Sequence, residues 1–351
     1  MGDAPKEPLT PVTVYHDETK SDETRLKGHV LLFVPHEVCW EDHLPLFGSS
    51  RRDIKPIEFV PAEVWNLRRQ AQLEDKKLHF SKLSGRRWTG FDAGHRAIAE
   101  FAAEALRRTP SKRLRTPCSL RVAAMFYGPN ADRRIYGGGA REEQLLRHDE
   151  TVLRILLKGA AHYLFGPDEP IRLVDFVTDG QPGYRPLSSR RILHRLHAED
   201  AAGRTPLRDY VELDEAVFVR GHTSDHKGFT PGSSEDRDSQ FLQLADLFLG
   251  AISRSCFDRV APWPRQPRMG PIEGSKKDII AHPIREVLAK VKRGRAFRNS
   301  GHHRSFSVGR VNFGPEAISF SRLAPLPNDV DLPLVQLDLR WAEDGDGGAS
   351  R

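Results

Sequence analysis

The chain has 351 residues, with 54 lysines and arginines against 48 acidic residues and a formal net charge of +6. Hydrophobic residues make up 38% of the chain and charged residues 29%, which indicates a globular protein and excludes wholesale disorder and a collagen-like repeat. A chain of this length accommodates two domains, or one large domain with an extension.

The cysteines and the apolar segments narrow the class of protein further. Cys39, Cys118 and Cys256 are widely spaced and form no CxxC pair, so we expect neither a disulfide scaffold nor a cysteine-based zinc site. The first residues contain no apolar signal segment, and no window reaches the roughly 18 uninterrupted apolar residues of a membrane span. We therefore expect a soluble cytoplasmic protein that does not associate with membranes.

The hydrophobic pattern switches between the periods of strands and of helices. A loose leader over 1–11 precedes a strand over 12–17, which forms a hairpin with an apolar strand over 28–34. The remaining predicted elements are, in chain order, a helix over 63–74, a short strand over 77–80, a helix over 91–106, a strand over 120–127, a helix over 142–165, a strand over 171–178, a helix over 188–200, a strand over 212–219, a loop over 221–238, a helix over 239–252, a basic helix over 278–292 and two short strands over 306–311 and 317–321.

This order of elements predicts an α/β fold. A hairpin followed by strands that alternate with helices gives a mixed sheet flanked by helices on both faces. From residue 12 onward, the succession strand, strand, strand, helix, strand, helix, strand, helix is that of an RNase H-like core with insertions. We expect this core to occupy residues 12–256.

Positive charge is concentrated in the C-terminal part of the chain. Between Arg254 and Arg310 there are 14 Lys and Arg against 4 Asp and Glu, an excess of +10 over 57 residues, so the remainder of the chain carries about −4. A segment this basic neutralises phosphates and attracts a polyanion. We predict a basic C-terminal region over 257–342 that contacts nucleic acid, with a disordered tail over 343–351; a solvated basic face is the alternative.

Acidic residues stand where the predicted elements would bring them together. Asp17 and Glu18 end the first strand, Asp179 follows the strand over 171–178, and Asp246 lies in a late helix. Clustered carboxylates repel one another unless a cation compensates them, and oxygen ligands suit Mg²⁺ or Mn²⁺ rather than zinc. Two such ions about 4 Å apart activate water on one side of a phosphodiester and stabilise the leaving oxygen on the other.

Asp246 is the most informative of these acids. It is embedded in an otherwise apolar helical segment, where Leu242, Leu249 and Gly250 share its face. Burying a carboxylate there without a partner costs several kcal/mol. The pattern therefore predicts that Asp246 has a polar partner, binds a metal or belongs to a site.

Four short segments resemble the motifs of a large prokaryotic group, the domain-of-unknown-function family 3800. They occur in the family's order, and the resemblance spans about residues 12–253. The closing helix motif is the most specific of them. The segments are 15–19 (YHDET), 78–80 (LHF), 177–180 (VTDG) and 239–246 (SQFLQLAD).

That family is similar to RNase H-like nucleases and is generally regarded as a family of nucleases. The resemblance implies metal-dependent phosphodiester hydrolysis, with Asp17, Asp179 and Asp246 as ligands of Mg²⁺ or Mn²⁺. It further implies that Glu18 or His79 assists the reaction. Thr19 stands where the family usually has serine, and Gly180 where it often has a second acid.

The third ligand stays open at this stage. If the strand over 120–127 pairs directly with the first strand, Asp179 lies one strand further out. Other carboxylates then compete for its role, namely Asp238, Glu100, Glu104 and Glu150.

The favoured hypothesis is a metal-dependent nuclease that acts on DNA or RNA. A second hypothesis is a catalytically silent component that binds nucleic acid or a protein partner, and a third is hydrolysis of a small nucleotide. The loop over 81–88, with two serines, a lysine and two arginines, could position a phosphate, whereas no GxSxG serine elbow is present. The sequence does not distinguish the nucleic acid, and it leaves a protein partner or a homo-oligomer open.

Overall fold

The computed structural model describes the following parts of the chain: residues 9–19, 26–38, 55–107, 118–128, 141–165, 169–179, 211–213, 219–222, 228–257, 270–271, 275–290, 305–313, 318–322 and 335–336. These residues form a mixed α/β structure. The helices are α1 (Pro56–Gln70), α2 (Gly90–Ala105), α3 (Arg141–Leu164), α4 (Ser234–Phe257) and α5 (Lys276–Lys290). None of these described helices is both long enough and apolar enough to cross a membrane.

The strands are distributed over one large sheet and one small one. Six of the described strands have five or more residues, and the rest are short edges or connections. The strands are β1 (Thr10–Glu18), β2 (Lys27–Pro35), β3 (Arg87–Trp88), β4 (Arg121–Tyr127), β5 (Ile171–Asp179), β6 (Val211–Leu213), β7 (Val219–His222), β8 (Gly270–Pro271), β9 (Phe306–Phe313), β10 (Ile318–Arg322) and β11 (Val335–Gln336).

The large sheet is mixed, and β1 lies near its middle. Its strand order is β11-β10-β9-β4-β2-β1-β5-β6. β6 pairs with residues 171–173 of β5, and β7 pairs with residues 176–179 of the same strand. The three consecutive strands β1, β2 and β4 pair antiparallel, whereas β5 runs parallel to β1 and β6 and β7 run parallel to β5. β3 and β8 form a separate two-stranded sheet.

Helices cover both faces of the large sheet, as the pattern of elements predicts. Helices α1, α2, α4 and α5 pack on one face, where Tyr15 and Val30 point, and α3 packs on the other, where Val14 and Leu31 point. Strand alternation explains this division, because successive side chains of β1 point to opposite faces. We call these the α4 face and the α3 face.

Several predicted elements need correction. The segment over 77–80 is not a strand, because Phe80–Lys82 forms a single 3₁₀ turn. Helix α1 begins at Pro56 rather than at residue 63, since proline suits the first turn of a helix. The predicted strand over 212–219 is replaced by the short strands β6 and β7. The predicted helix over 188–200 and the tail over 343–351 lie outside the described residues.

Helix α4 begins five residues earlier than predicted. The side chain of Ser233 accepts a hydrogen bond from the backbone N–H of Asp236 at 3.3 Å, which satisfies a donor of the first turn. Asp236 in turn accepts a hydrogen bond from the backbone N–H of Thr230 at 2.8 Å. Residues 234–238 therefore belong to the helix and not to the preceding loop.

The described part of the C-terminal region is integrated into the core. Strand β9 pairs in parallel with β4, and Phe306 and Ile280 belong to the same buried cluster as Tyr15. Residues on both sides of the predicted boundary at 256 thus share one sheet and one core. The basic run over 292–304 lies outside the described residues.

Candidate functional site

The carboxyl ends of β1 and β5 bring two of the predicted acids together. These strands are parallel neighbours in which His16 is the register partner of Thr178, so the next residue of each strand is an aspartate, Asp17 or Asp179. Parallel strands in register present paired residues on the same face, and both aspartates follow residues of the α3 face. Asp17 and Asp179 therefore both lie on the α4 face.

The third acid comes from helix α4. Burial raises the pKa of Asp17 well above its usual value, and the negative charges of Asp246 and then Asp179 raise it further. Asp246 and Asp179 therefore both lie within electrostatic range of Asp17, which is only 7% exposed. The concern that Asp179 lies one strand too far out is resolved, because β4 pairs with β2 and β5 pairs directly with β1.

The alternative third acids are engaged elsewhere. Asp238 is fully buried and accepts a hydrogen bond from the hydroxyl of Tyr15 at 2.8 Å, and Tyr15 stacks on Phe241. Glu100 pairs with an arginine one turn earlier on α2, and Glu104 pairs with one just beyond the end of that helix. The side chain of Glu150 lies outside the described residues. Asp238 thus has a packing role between β1 and α4.

Asp246 fixes the segment that carries His79. Its Oδ2 accepts a hydrogen bond from the backbone N–H of Phe80 at 2.7 Å and a second from Nδ1 of His79 at 3.1 Å. The predicted polar partner of Asp246 is therefore confirmed. Because both bonds end on Oδ2, the carboxylate is held in one orientation with its side chain 19% exposed.

Gly250 allows this close approach. It lies one turn after Asp246 on α4, and a Cβ atom at this position would stand 2.2 Å from the ring of Phe80. Only a residue without a side chain lets the ring lie directly on the helix backbone. The glycine thus brings the backbone N–H of Phe80 within reach of Asp246.

A buried arginine helps to hold the segment that precedes His79. Arg68 of α1 is fully buried and donates hydrogen bonds to the side-chain oxygens of Gln240 and Gln243, at 3.0 and 3.3 Å, and to the carbonyl of Lys76 at 2.5 Å. Gln243 also accepts a hydrogen bond from the backbone N–H of Leu78 at 2.8 Å. Burial lowers the pKa of Arg68 to about 10, so the guanidinium remains charged at neutral pH.

His79 stands at the mouth of the site. With Nδ1 donating to Asp246, the other ring nitrogen of the neutral imidazole accepts, and the hydroxyl of Ser81 lies 3.1 Å from it. The side chain of His79 is 32% exposed, so Nε2 is accessible from solvent. Ser81, His79 and Asp246 thus form a hydrogen-bonded series. The sequence, which has no GxSxG serine elbow, gave no indication of it.

The loop that follows His79 is basic and exposed. Leu83 and Trp88 anchor it in the core, and Trp88 pairs with Gly270 through β3 and β8. The side chains before and between these anchors are exposed. They are Ser81 and Lys82, which precede Leu83, and Ser84, Arg86 and Arg87, which lie between Leu83 and Trp88.

Glu18 occupies the opposite face from the three aspartates. Its carboxylate lies 3.4 Å from Nζ of Lys27 and 3.8 Å from Nδ1 of His29. Lys27 also contacts Asp149 of α3 at 2.7 Å, which places this group on the α3 face. Glu18 thus contacts a lysine and a histidine rather than Asp246 or His79.

A buried polar chain runs along the α3 face under the site. Thr178 lies 2.8 Å from Nδ1 of His16, and Nε2 of His16 lies 3.1 Å from Nδ1 of His29. Nε2 of His29 lies 3.7 Å from Asp149, which also accepts a hydrogen bond from the hydroxyl of Tyr127. Sequence reasoning missed this chain; the only signal was that His16 and Thr178 directly precede Asp17 and Asp179.

Part of the basic C-terminal charge is used inside the fold. Arg254 makes a two-pronged ion pair with Asp278, at 2.6 and 3.1 Å, and Lys276 contacts Asp92 at 2.7 Å. These pairs join α5 to α4 and α2. The bare count of basic residues therefore overstates the charge that these helices present to a ligand.

The donor chemistry fits a divalent cation better than the geometry does. Asp17, Asp179 and Asp246 offer the oxygen ligands that Mg²⁺ and Mn²⁺ prefer, and Nζ of Lys77 lies 3.8 Å from Asp179. Among the described residues, however, no three His, Cys, Asp or Glu side chains already form a group that could hold a metal ion.

Comparison of the chain with protein-family models, with curated proteins and with solved structures finds no match. The resemblance to the domain-of-unknown-function family 3800 therefore depends on the four sequence motifs alone.

Proposed function

We propose that the protein is a metal-dependent nuclease with an RNase H-like core. The observation that carries the proposal is the placement of Asp17 and Asp179 at the ends of two paired parallel strands, where burial and the charges of Asp246 and Asp179 raise the pKa of Asp17. A fold that places three acids against one another loses stability unless a cation compensates them. Such perturbed groups are typical of functional sites.

The topology supports the RNase H-like part of the proposal. Three antiparallel strands in sequence, β1, β2 and β4, are followed by strands that add in parallel on the other side of β1. Helix α3 lies between β4 and β5 in the chain, and α4 follows β7. This arrangement delivers one acid from the first strand, one from its parallel neighbour and one from a helix.

The loop after His79 supports a nucleic-acid substrate. Lys82, Arg86 and Arg87 are exposed in the segment that follows Phe80, whose backbone N–H binds Asp246, and they suit contacts to backbone phosphates rather than to bases. Phosphate contacts of this kind position a strand without reading its sequence. We therefore propose a phosphodiester substrate that is DNA or RNA.

The residues of the chain divide the chemical work. Asp17, Asp179 and Asp246 would hold Mg²⁺ or Mn²⁺, which when bound supplies activation of water and stabilisation of the leaving oxygen. Asp246 holds His79 by its Nδ1 and thereby presents Nε2 to the site, where it can exchange a proton with a reacting oxygen. Glu18 has no part in this proposal, because its carboxylate contacts Lys27 on the other face.

The test is cleavage of a panel of labelled DNA and RNA with Mg²⁺, Mn²⁺ or EDTA. We expect divalent-dependent cleavage that Asp17→Asn and Asp246→Asn each reduce by about 10³-fold or more, on the scale of removing an essential charge from a catalytic site. Glu58→Gln, an exposed acid on α1, is the matched control and should cleave normally. Cleavage in EDTA that is lost in Ser81→Ala would instead assign the reaction to the Ser81–His79–Asp246 series.

A second candidate function is binding without turnover, as one component of a multi-protein system. The observation that favours it is the exposed basic loop with Lys82, Arg86 and Arg87, because phosphate contacts of this kind bind a nucleic acid whether or not it is cleaved. A binding component would bind nucleic acid in EDTA, with an affinity that falls steeply as the salt concentration rises. Neither the wild type nor the variants at the three aspartates would cleave it.

A further inference from the structure

We propose that the hydrogen bond between His16 and Thr178 sets the separation of Asp17 and Asp179 and thereby shapes the metal site. This inference rests on the proposed function. It assigns His16 and Thr178 as positioning residues, which act through the aspartates and touch neither metal nor substrate.

The placement of the two residues is the first step. His16 and Thr178 are register partners on neighbouring strands, both side chains are buried, and Nδ1 lies 2.8 Å from Oγ1. Each directly precedes one of the aspartates. The hydrogen bond therefore joins β1 and β5 on the α3 face, one residue before the two aspartates, whose side chains lie on the α4 face.

The bond lies at the end of the strand pair that carries the aspartates. The register between β1 and β5 shifts between Val12 and Thr13, and on the site side of this shift residues 13–16 pair with residues 175–178. This backbone pairing sets the alignment of the strands. The bond between His16 and Thr178 adds a side-chain link at the pair that directly precedes the aspartates.

The link between His16 and Thr178 does not depend on which ring nitrogen of His16 carries the proton. The hydroxyl of Thr178 can either donate to Nδ1 or accept from it, because a hydroxyl is both a donor and an acceptor. The buried chain continues from Nε2 of His16 to His29 and fixes the plane of the His16 ring.

An exchange of side chains tests this link. Thr178→Val preserves shape and volume but removes the hydroxyl, whereas Thr178→Ser removes a methyl group but keeps the hydroxyl. A purely structural contribution would change stability and leave both the separation of the carboxylates of Asp17 and Asp179 and the affinity for Mn²⁺ unchanged. A positioning role changes the separation and the affinity in the valine variant, because only that variant loses the bond.

The experiment compares wild type, Thr178→Val and Thr178→Ser in Mn²⁺ affinity, in kcat and KM on the cleaved nucleic acid, and in crystal structures. We expect Thr178→Val to weaken Mn²⁺ binding and to lower kcat by about 10-fold or more with KM unchanged, as for groups that support metal ligands. Thr178→Ser should restore both. Equal effects of valine and serine would overturn the proposal.

The crystal structures separate this inference from the proposed function. A changed distance between the carboxylates of Asp17 and Asp179 in Thr178→Val, and not in Thr178→Ser, is expected whether or not the protein cleaves nucleic acid. An unchanged distance would refute the positioning role. Absence of Mn²⁺ binding and of cleavage in the wild type would refute the proposed function alone.

Discussion

The two faces of the sheet at the end of β1 shift the pKa of a buried aspartate in opposite directions. On the α4 face, burial and two further carboxylates raise the pKa of Asp17. On the α3 face, burial also acts to raise the pKa of Asp149, but His29 and Lys27 outweigh it and hold that pKa well below its usual range. The acid of the α3 face is thus compensated by a lysine and a histidine, whereas the charges that raise the pKa of Asp17 are themselves acidic and would be compensated by the proposed cation.

This comparison distinguishes a supporting network from a site. Buried acids occur on both faces, so burial alone does not identify function. The informative difference is the partner: a lysine 2.7 Å from Asp149, but other acids around Asp17. Changes that remove either acid should therefore affect stability with opposite signs.

The largest expected effect comes from Asp246, which joins the acids to the segment of His79. Asp246→Ala should abolish cleavage and release the backbone N–H of Phe80, whereas Asp246→Asn should abolish cleavage but keep an acceptor for that N–H. Hydrogen exchange of the Phe80 amide distinguishes the two, with faster exchange expected only in the alanine variant. Equal protection in both variants would show that Asp246 does not hold the segment.

The α3 face is tested next by Asp149→Asn. Removing the charge leaves Lys27 and His29 without their anion, and we expect a loss of about 2 kcal/mol in the free energy of unfolding at neutral pH, the scale of hydrogen bonds to charged groups. The measurement is denaturant unfolding in EDTA. A variant as stable as the wild type would show that the face is not balanced by this acid.

The pH dependence of unfolding sharpens the contrast, with signs that follow from the two pKa shifts. Asp149 has a depressed pKa, so its stabilisation is present above the unfolded value of about 3.9 and is lost as the pH falls through the folded value. Asp17 has a raised pKa, so its destabilisation starts to decline once the pH falls below the folded value and has disappeared at the unfolded value of about 3.9. Any gain from Asp17→Asn should therefore shrink steadily as the pH falls towards about 4, whereas the deficit of Asp149→Asn should stay constant down to about pH 4.

A smaller effect is expected at the contact between α4 and the segment of His79. Gly250→Ala places a methyl group against the ring of Phe80 and should cost about 1–3 kcal/mol by overpacking, with slower cleavage as the segment shifts. Gly159→Ala on α3 is the matched control, because its Cβ would meet nothing within 4 Å. That control should be neutral or stabilising by roughly 0.5–1 kcal/mol.

Much of the site could be predicted because its signals are local. Asp17 ends an alternating strand, and Asp246 interrupts an apolar helical pattern, so each is marked by its own neighbours. The place of Asp179 could not be fixed in the same way. It depends on whether β5 or β4 lies beside β1, and sequence order does not determine which strands pair.

The supporting contacts were beyond prediction for a physical reason. His16 and Thr178 are 162 residues apart in sequence, and nothing near either one indicates the other. Arg68 is a charged residue of α1, and such residues usually lie on the surface. In the fold it is fully buried and bonds Gln240 of α4. Tertiary contacts override local preference in such cases, and the start of α4 at Ser234 was missed because a polar capping segment resembles a loop.

The smallest expected effect concerns the exposed loop. Lys82→Ala, Arg86→Ala and Arg87→Ala should each weaken nucleic-acid binding and lower the slope of log affinity against log salt by roughly 0.7–0.9, the value for one phosphate contact. Arg69→Ala, an exposed arginine on α1, is the matched control and should leave the slope unchanged. If none of the three loop variants changes the slope, the phosphates do not contact this loop.

The most direct test of the uncompensated α4 face is thermal unfolding of the wild type and Asp17→Asn in EDTA and in Mn²⁺ at neutral pH. In EDTA the variant should be the more stable protein, because it removes a buried charge that two other acids oppose. Mn²⁺ should then stabilise the wild type and leave the variant nearly unchanged. A wild type that is more stable than Asp17→Asn in EDTA and indifferent to Mn²⁺ would contradict the account.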